Sequence, residues 1–182
     1  MLEIRIHGRG GQGAVVASKV LATAVFREGR YVQSFPSFGV ERRGAPVTAF
    51  VRIDDRPIRL RCQIYTPDHL IVLDPTLVQA IDVTEGLKPG GWVLVNTVRD
   101  PRALGISAGF RLASVDASAI ARRHRLGPAS APIVNTAILG ALARITGIVG
   151  LAALCEAVRD IVPVKQEANV LALQEAFDAA QY

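Results

Sequence analysis

Apolar and polar residues alternate at the very start of the chain: Leu2, Ile4 and Ile6 are interleaved with Glu3, Arg5 and His7, the pattern of a strand with one face turned inward. Gln12 to Phe26 follows with little polar surface beyond Ser18, Lys19 and Thr23, which predicts a helix covered on most sides. Tyr31 to Ser34 reads as a short strand, and the stretch from Ser34 to Pro46 as an irregular connection rich in turn formers. Val47, Ala49, Val51 and Ile53 alternate again, Asp54 to Pro57 turns the chain, and Ile58, Leu60, Cys62 and Ile64 alternate on the way back. These two runs predict an antiparallel hairpin.

HLIVLD is a continuous apolar run ending at Asp74, and WVLVNT and RLASVD are two more. Such runs suit strands buried on both faces, as in a parallel sheet. From Pro132 onward the period is helical, with three segments, PIVNTAILGALARITG, GLAALCEAVRDIV and QEANVLALQEAFDAA, separated near Gly147 to Gly150 and near Pro163 to Lys165. The expected fold class is therefore α/β: one Rossmann-like domain over residues 1–182 with a mostly parallel sheet, an antiparallel hairpin and a helical C-terminal part.

Composition narrows the class. Half of the 182 residues are hydrophobic and a fifth are charged, enough for a single compact core. The two cysteines, Cys62 and Cys155, are far apart and lack ligand spacing, so they are expected to be buried hydrophobes rather than ligands of zinc or of an iron–sulfur cluster. No apolar run reaches the roughly 20 residues of a membrane span and no signal-like segment opens the sequence, so a cytoplasmic protein with no membrane partner is expected. The net charge of +5 comes almost wholly from arginine. The arginines are dispersed and aromatics are few, which gives little material for nucleic-acid binding.

The chemistry-bearing segment is GRGGQG, directly between the first strand and the first helix. Gly8, Gly10, Gly11, Gln12 and Gly13 place free backbone N–H groups and the positive end of a helix at one point, where an anion can sit. Gly8, Gly10 and Gly13 also satisfy the spacing of a dinucleotide fingerprint. That fingerprint normally carries an acid about 20 residues on, at the end of the second strand, to bind ribose. Here the strand ends in Gln33, Ser34, Phe35 and Pro36, so the nicotinamide reading loses its main support. A purely structural role in strand-to-helix packing stays open. A second loop, Ser37 to Gly44, contains Glu41, Arg42 and Arg43 and begins beyond a strand's carboxyl end, where open α/β sheets bind ligands. Its arginines suit a phosphate or carboxylate, or else form a solvated turn.

GRGGQG, SFGVERRG ahead of APVTAFVRI, HLIVLD and PIVNTAILGA together resemble the gamma subunit of 2-oxoacid:ferredoxin oxidoreductases, in the family's order and over nearly the whole chain. Two positions depart from the family's usual pattern: Ala45 follows Gly44 where a second glycine is common, and Val40 precedes Glu41 where proline is common. The resemblance implies a subunit active only in complex with alpha, beta and delta-type subunits, with ferredoxin as electron acceptor. It implies that thiamine diphosphate with Mg and the iron–sulfur clusters sit on partner subunits, and that CoA is a co-substrate. The reaction implied is oxidative decarboxylation of pyruvate or a related 2-oxoacid, usually to acyl-CoA. The residues it places near cofactor or substrate are Gly8, Gly10, Gly11, Gln12, Gly13, Ser37, Glu41, Arg42, Arg43, Gly44, Asn135 and Thr136, none of them catalytic. Asn135 and Thr136 could equally cap the helix that follows them. No acid or nucleophile is grouped with His7, His69 or His124 in the sequence, so no catalytic histidine is expected. The alternative is a stand-alone Rossmann-like nucleotide-binding module.

Overall fold

The computed structural model describes residues 1–37, 44–106 and 108–182. The six strands are β1 (Leu2–Arg9), β2 (Tyr31–Pro36), β3 (Pro46–Asp54), β4 (His69–Val72), β5 (Trp92–Asn96) and β6 (Arg111–Val115). The helices are α1 (Ala14–Arg27), the single turn α2 (Leu77–Ala80), α3 (Ala117–Arg123), α4 (Ala137–Thr146), α5 (Leu151–Ile161) and α6 (Gln166–Ala179). The strands form one sheet in the order β2-β3-β1-β4-β5-β6. β1, β4, β5 and β6 run parallel, and β3 is antiparallel to both of its neighbours. The α/β expectation holds.

The hairpin is there, but with a different partner. β3 pairs with β2 from Pro36↔Ala49 to Tyr31↔Asp54 and with β1 from Arg9↔Pro46 to Leu2↔Ile53, so both of its edges are occupied. The returning run of 58–64 therefore has no open edge of β3 to join. It crosses the sheet as a strap, held by side chains: Gln33 Nε2 donates to the carbonyls of Ile58 (3.2 Å) and Leu60 (3.1 Å), and Arg52 Nη2 to that of Gln63 (3.2 Å). Of its four apolar positions only Ile64 is buried, and Cys62, expected inside, is exposed.

The inward residues of β1 and β3, Ile4, Ile6, Val51 and Ile53, pack with Val20, Leu21 and Val25 of α1 and with α4 to α6. A smaller core of Leu70, Val72, Leu77, Val93 and Val95 lies on the other face. Next to it that face is polar, with Arg52 bonded to the strap and Arg5 to the segment at Val83 and Glu85. Arg52 is 1% exposed and its Nε donates to Glu3 Oε1 at 2.8 Å; Arg5 donates to His7 Nε2 at 3.0 Å and to the Val83 carbonyl at 2.9 Å. The alternation of β1 thus separates an aliphatic face from one in which the charged residues are also buried.

The C-terminal helices agree with the period except at the start. Residues 132–136 are not helical, and α4 begins at Ala137. Pro132 lacks the N–H a helix interior needs, and the buried Asn135 and Thr136 spend their side chains on tertiary partners instead. α4 and α6 cross at Gly140, where an added Cβ would stand 1.9 Å from the Leu173 carbonyl oxygen.

Candidate functional site

The crossover from β1 through α1 leads toward β2, while the chain leaving β4 passes through α2 to β5 on the opposite face. Strand order therefore diverges between β1 and β4, and a crevice opens beyond their carboxyl ends, the place where doubly wound sheets bind ligands. The glycine loop sits there.

Its conformation is set by close partners. Gly10 continues the β1–β3 ladder past Arg9, accepting from Gly44 N–H at 3.0 Å and donating to the Ala45 carbonyl at 2.9 Å. The first loop is thereby stitched to the end of the second. Gly8 is packed closely, since a Cβ there would lie 3.1 Å from Leu73 Cδ1. Gly11 is exposed, and Gly13, with φ +80°, turns the chain into α1. A Cβ on Gly13 would fall 2.2 Å from Asn135 Nδ2, which in fact donates to the Gly13 carbonyl at 3.3 Å.

Arg9 and Asp74 knot this end of the sheet together. Arg9 Nε donates to Asp74 Oδ2 at 3.0 Å, Nη1 to the Gly44 carbonyl at 3.1 Å and Nη2 to Thr76 Oγ1 at 2.8 Å. Gln12 folds back to accept from Arg9 N–H at 2.7 Å and to donate to Asp74 Oδ2 at 3.1 Å. The other carboxylate oxygen of Asp74 accepts from the Thr76 backbone and hydroxyl, fixing the turn before α2. Burial by itself would raise the Asp74 carboxyl. The Thr76 and Gln12 hydrogen bonds and the Arg9 charge outweigh it and hold Asp74 below the usual carboxylate range.

A cleft of about 470 Å³, lined by polar side chains together with Pro75, Val98, Leu104 and the acid Asp116, continues from this knot across the ends of β4, β5 and β6. Thr76 and Gln79 line it on one side, Asn96 and Ser118 form its floor, and Arg99 and Arg122 stand at its mouth. Asn96 is buried and held in place, with Nδ2 donating to the Leu73 carbonyl at 2.9 Å and Oδ1 accepting from Ser118 N–H at 3.2 Å. Asp116 caps α3 by accepting from Ala119 N–H at 2.8 Å.

Of the residues singled out in the sequence, Gly8, Gly10, Gly11, Gln12, Gly13, Gly44 and Asn135 meet at this one end. Ser37 lies a short way along β3, its N–H donating to the Thr48 carbonyl at 2.7 Å. Thr136 is turned inward, its hydroxyl 2.6 Å from Asn169 Oδ1, and it makes no side-chain cap on α4. Asn135 Oδ1 accepts from Thr136 N–H at 2.9 Å, a bond to the residue before the helix, so neither side chain caps α4. Glu41, Arg42 and Arg43, together with Phe38, Gly39 and Val40, lie outside the described residues.

Sequence reasoning missed Arg9, Thr76, Asn96 and Ser118. Arg9 sits inside the glycine motif as its only charged residue, which was a usable signal; the others carry none. His124 is grouped with an acid after all: its Nε2 is 2.6 Å from Glu175 Oε2, the other oxygen of Glu175 pairs with Arg123, and the group sits between α3 and α6 away from the glycine loop. His7 is buried, and burial together with the Arg5 charge lowers its pKa to about 3. Among the described residues no three His, Cys, Asp or Glu side chains stand together as metal ligands, and no helix is long and apolar enough to cross a membrane.

The family model described as pyruvate ferredoxin/flavodoxin oxidoreductase matches residues 3–179. The chain is 54% identical over 183 residues to the pyruvate/ketoisovalerate oxidoreductases common subunit gamma of Thermococcus kodakarensis, covering 98% of this chain and 96% of that one. Among solved structures, the PORC subunit of pyruvate oxidoreductase from Thermotoga maritima superposes with a TM-score of 0.84 at 39% identity, over 99% of this chain and 97% of that one. The 2-oxoglutarate:ferredoxin oxidoreductase of Magnetococcus marinus, solved with 2-oxoglutarate, coenzyme A and succinyl-CoA bound, matches with a TM-score of 0.73 at 26% identity, over 97% of this chain and 30% of that one. Full-length similarity to relatives of matching length shows that the chain belongs to the pyruvate ferredoxin/flavodoxin oxidoreductase family, among its gamma-type, PorC-like subunits.

Proposed function

We propose that this subunit works in a complex that oxidatively decarboxylates pyruvate or a related 2-oxoacid and passes the electrons to ferredoxin, and that its own contribution is assembly and the anion-receiving part of the coenzyme A cleft. The observation that carries this reading is the Arg9–Asp74–Gln12 knot at the strand divergence, continuous through Thr76 with a cleft that Arg99 and Arg122 line. The Magnetococcus relative, solved with coenzyme A and succinyl-CoA, supports the choice of ligand.

Each residue has a distinct task in this reading. Asp74 neutralises Arg9 and spends both oxygens on it, Gln12 and Thr76, so the knot is a frame rather than a receptor. Arg99 and Arg122 remain for the ligand, and Arg42 and Arg43 are assigned to the same anion. The buried, already satisfied Asn96 shapes the floor without leaving a polar group stranded when water is displaced. Thiamine diphosphate on partner subunits supplies the carbanion chemistry, and this chain supplies orientation and electrostatics around it.

The test is reconstitution with alpha, beta and delta-type subunits. R42A/R43A and R99A/R122A should each raise the KM for coenzyme A by about tenfold, as expected for losing charge-assisted contacts, with assembly intact. Unchanged KM and unchanged assembly in both would overturn the cleft assignment. Tight binding of NAD or ATP by the isolated monomer would favour a stand-alone nucleotide module instead.

A further inference from the structure

β2 is an edge strand, and no strand of the described residues pairs with its outer side. Ser37 N–H donates to the Thr48 carbonyl, so with the register Phe35↔Phe50 and Gln33↔Arg52 the odd-numbered residues of β2 are the ones bonded to β3. The N–H and C=O groups of Val32 and Ser34 therefore point outward, and no backbone partner meets them among the described residues. Pro36, the next outward position, has no N–H to offer, as suits an edge. The strap of residues 58–64 does not close this edge, because it lies over the sheet's polar face, fastened to Gln33 and Arg52. Between strap and edge is a groove of about 540 Å³ lined by Val32, Ser34, Phe35, Leu60, Arg61 and Cys62.

The groove has a charge. Arg56, Arg59 and Arg61 are exposed along the strap and, among the described residues, none is in an ion pair. The nearest acids in the sequence are already engaged, Asp54 by the N-terminal amine and Asp55 by Arg30. An open pair of ladder positions, an apolar floor and a row of uncompensated arginines fit one kind of occupant: an extended polypeptide with acidic side chains. A second copy of this chain fits poorly, since pairing two β2 edges across a two-fold axis would bring the two basic straps together.

We propose that the outer edge of β2 docks an extended acidic segment of a partner subunit, which adds a strand at Val32 and Ser34 while its carboxylates meet Arg59 and Arg61. This rests on the reading that the chain works within a complex. Hydrogen exchange at residue resolution, on the full chain alone and in the complex reconstituted with alpha, beta and delta-type subunits, tests it, with assembly followed separately by size-exclusion chromatography. The amides of Val32 and Ser34 should exchange freely in the isolated chain and at least about tenfold more slowly in the complex. R59E/R61E should weaken association at least about tenfold, and V32P, which removes an outward amide together with a half-buried side chain that packs on the core, should weaken it while circular dichroism stays native. A complex that forms while exchange at Val32 and Ser34 is unchanged overturns this proposal and leaves the proposed function standing. Failure of the wild-type subunits to associate overturns both. Concentration-dependent protection in the isolated chain would assign the edge to a second copy, and oligonucleotide retention abolished by R59E/R61E would assign it to nucleic acid; either result overturns the acidic-segment proposal.

Discussion

Asn135 Nδ2 donates to the carbonyl of Gly13 at 3.3 Å and occupies the space a Cβ on Gly13 would need. Two motifs 122 residues apart are thus one contact: the glycine turn enters α1 with a left-handed Gly13 that leaves room for Asn135. Gly13→Ala combines left-handed backbone strain, about 1–2 kcal/mol, with a steric clash. It should lower stability in urea denaturation by about 2–3 kcal/mol. N135A in the same background should restore part of that loss, because it removes the clash and leaves the strain. Equal stability of G13A and wild type would refute the contact.

The α4–α6 crossing sets two effects against each other. Gly140→Ala gains about 1 kcal/mol of helix propensity but drives a methyl into the Leu173 carbonyl. Overpacking against backbone costs about 3 kcal/mol or more, so the net effect is destabilising. A thermal melt should fall by several degrees; a rise would show that the helices separate without penalty.

Arg52 and Glu3 form a buried ion pair beneath the strap. Removing either partner alone strands a charge and should cost about 3–5 kcal/mol. R52M/E3Q together should cost clearly less than the sum of R52M and E3Q, as measured by a double-mutant cycle in urea. Additive losses would mean the two side chains are not coupled.

Stability should depend on acid through His7. Its folded pKa is about 3 against 6.5 for an ordinary imidazole, first because it is buried and then because Arg5 faces it. Between these values the unfolded chain binds a proton that the native state refuses, so stability is complete above pH 6.5 and declines as pH falls toward 3. One such group gives a slope of about 1.4 kcal/mol per pH unit. The depressed Asp74 adds loss of the same sign at the acid end. H7Q should flatten the pH 4 to 6 portion of a stability–pH series by one proton, and an imidazole signal of His7 that titrates near 6.5 would contradict the burial.

Arg9 and Asp74 hold the frame of the proposed cleft. D74N leaves Arg9 without its charged partner and should cost about 1–2 kcal/mol in a half-exposed setting. It should also raise the KM for coenzyme A in the reconstituted enzyme more than it lowers kcat, because it loosens a binding loop and touches no reacting atom. A fall in kcat with KM unchanged would place Asp74 in the chemistry itself.

Local pattern alone determined a great deal. The alternation at Leu2, Ile4 and Ile6, the apolar runs at residues 69–74 and 92–97, and the helical period from Pro132 onward each arise from which face of an element meets the core, and each element forms, with β4 ending at Val72, β5 at Asn96 and the first of the three helices starting only at Ala137. The glycine turn, the missing ribose acid and the four motifs in order were likewise legible, because they depend on residue type and spacing. What the period could not decide was pairing. Ile58 to Ile64 alternates like a strand, but strand formation needs a free edge, and β1 and β2 had taken both edges of β3. Nor could it show that Glu3, Arg5 and His7, polar and therefore expected outward, are buried with partners on other elements: Arg52 for Glu3, and the Val83 and Glu85 carbonyls for Arg5, which in turn donates to His7. The knot of Arg9 with Asp74, the seat of Asn135 on Gly13 and the cleft floor at Asn96 join residues 65, 122 and 22 to 23 positions apart. Contacts at that separation are fixed by how the elements pack, and only the tertiary structure brings them together.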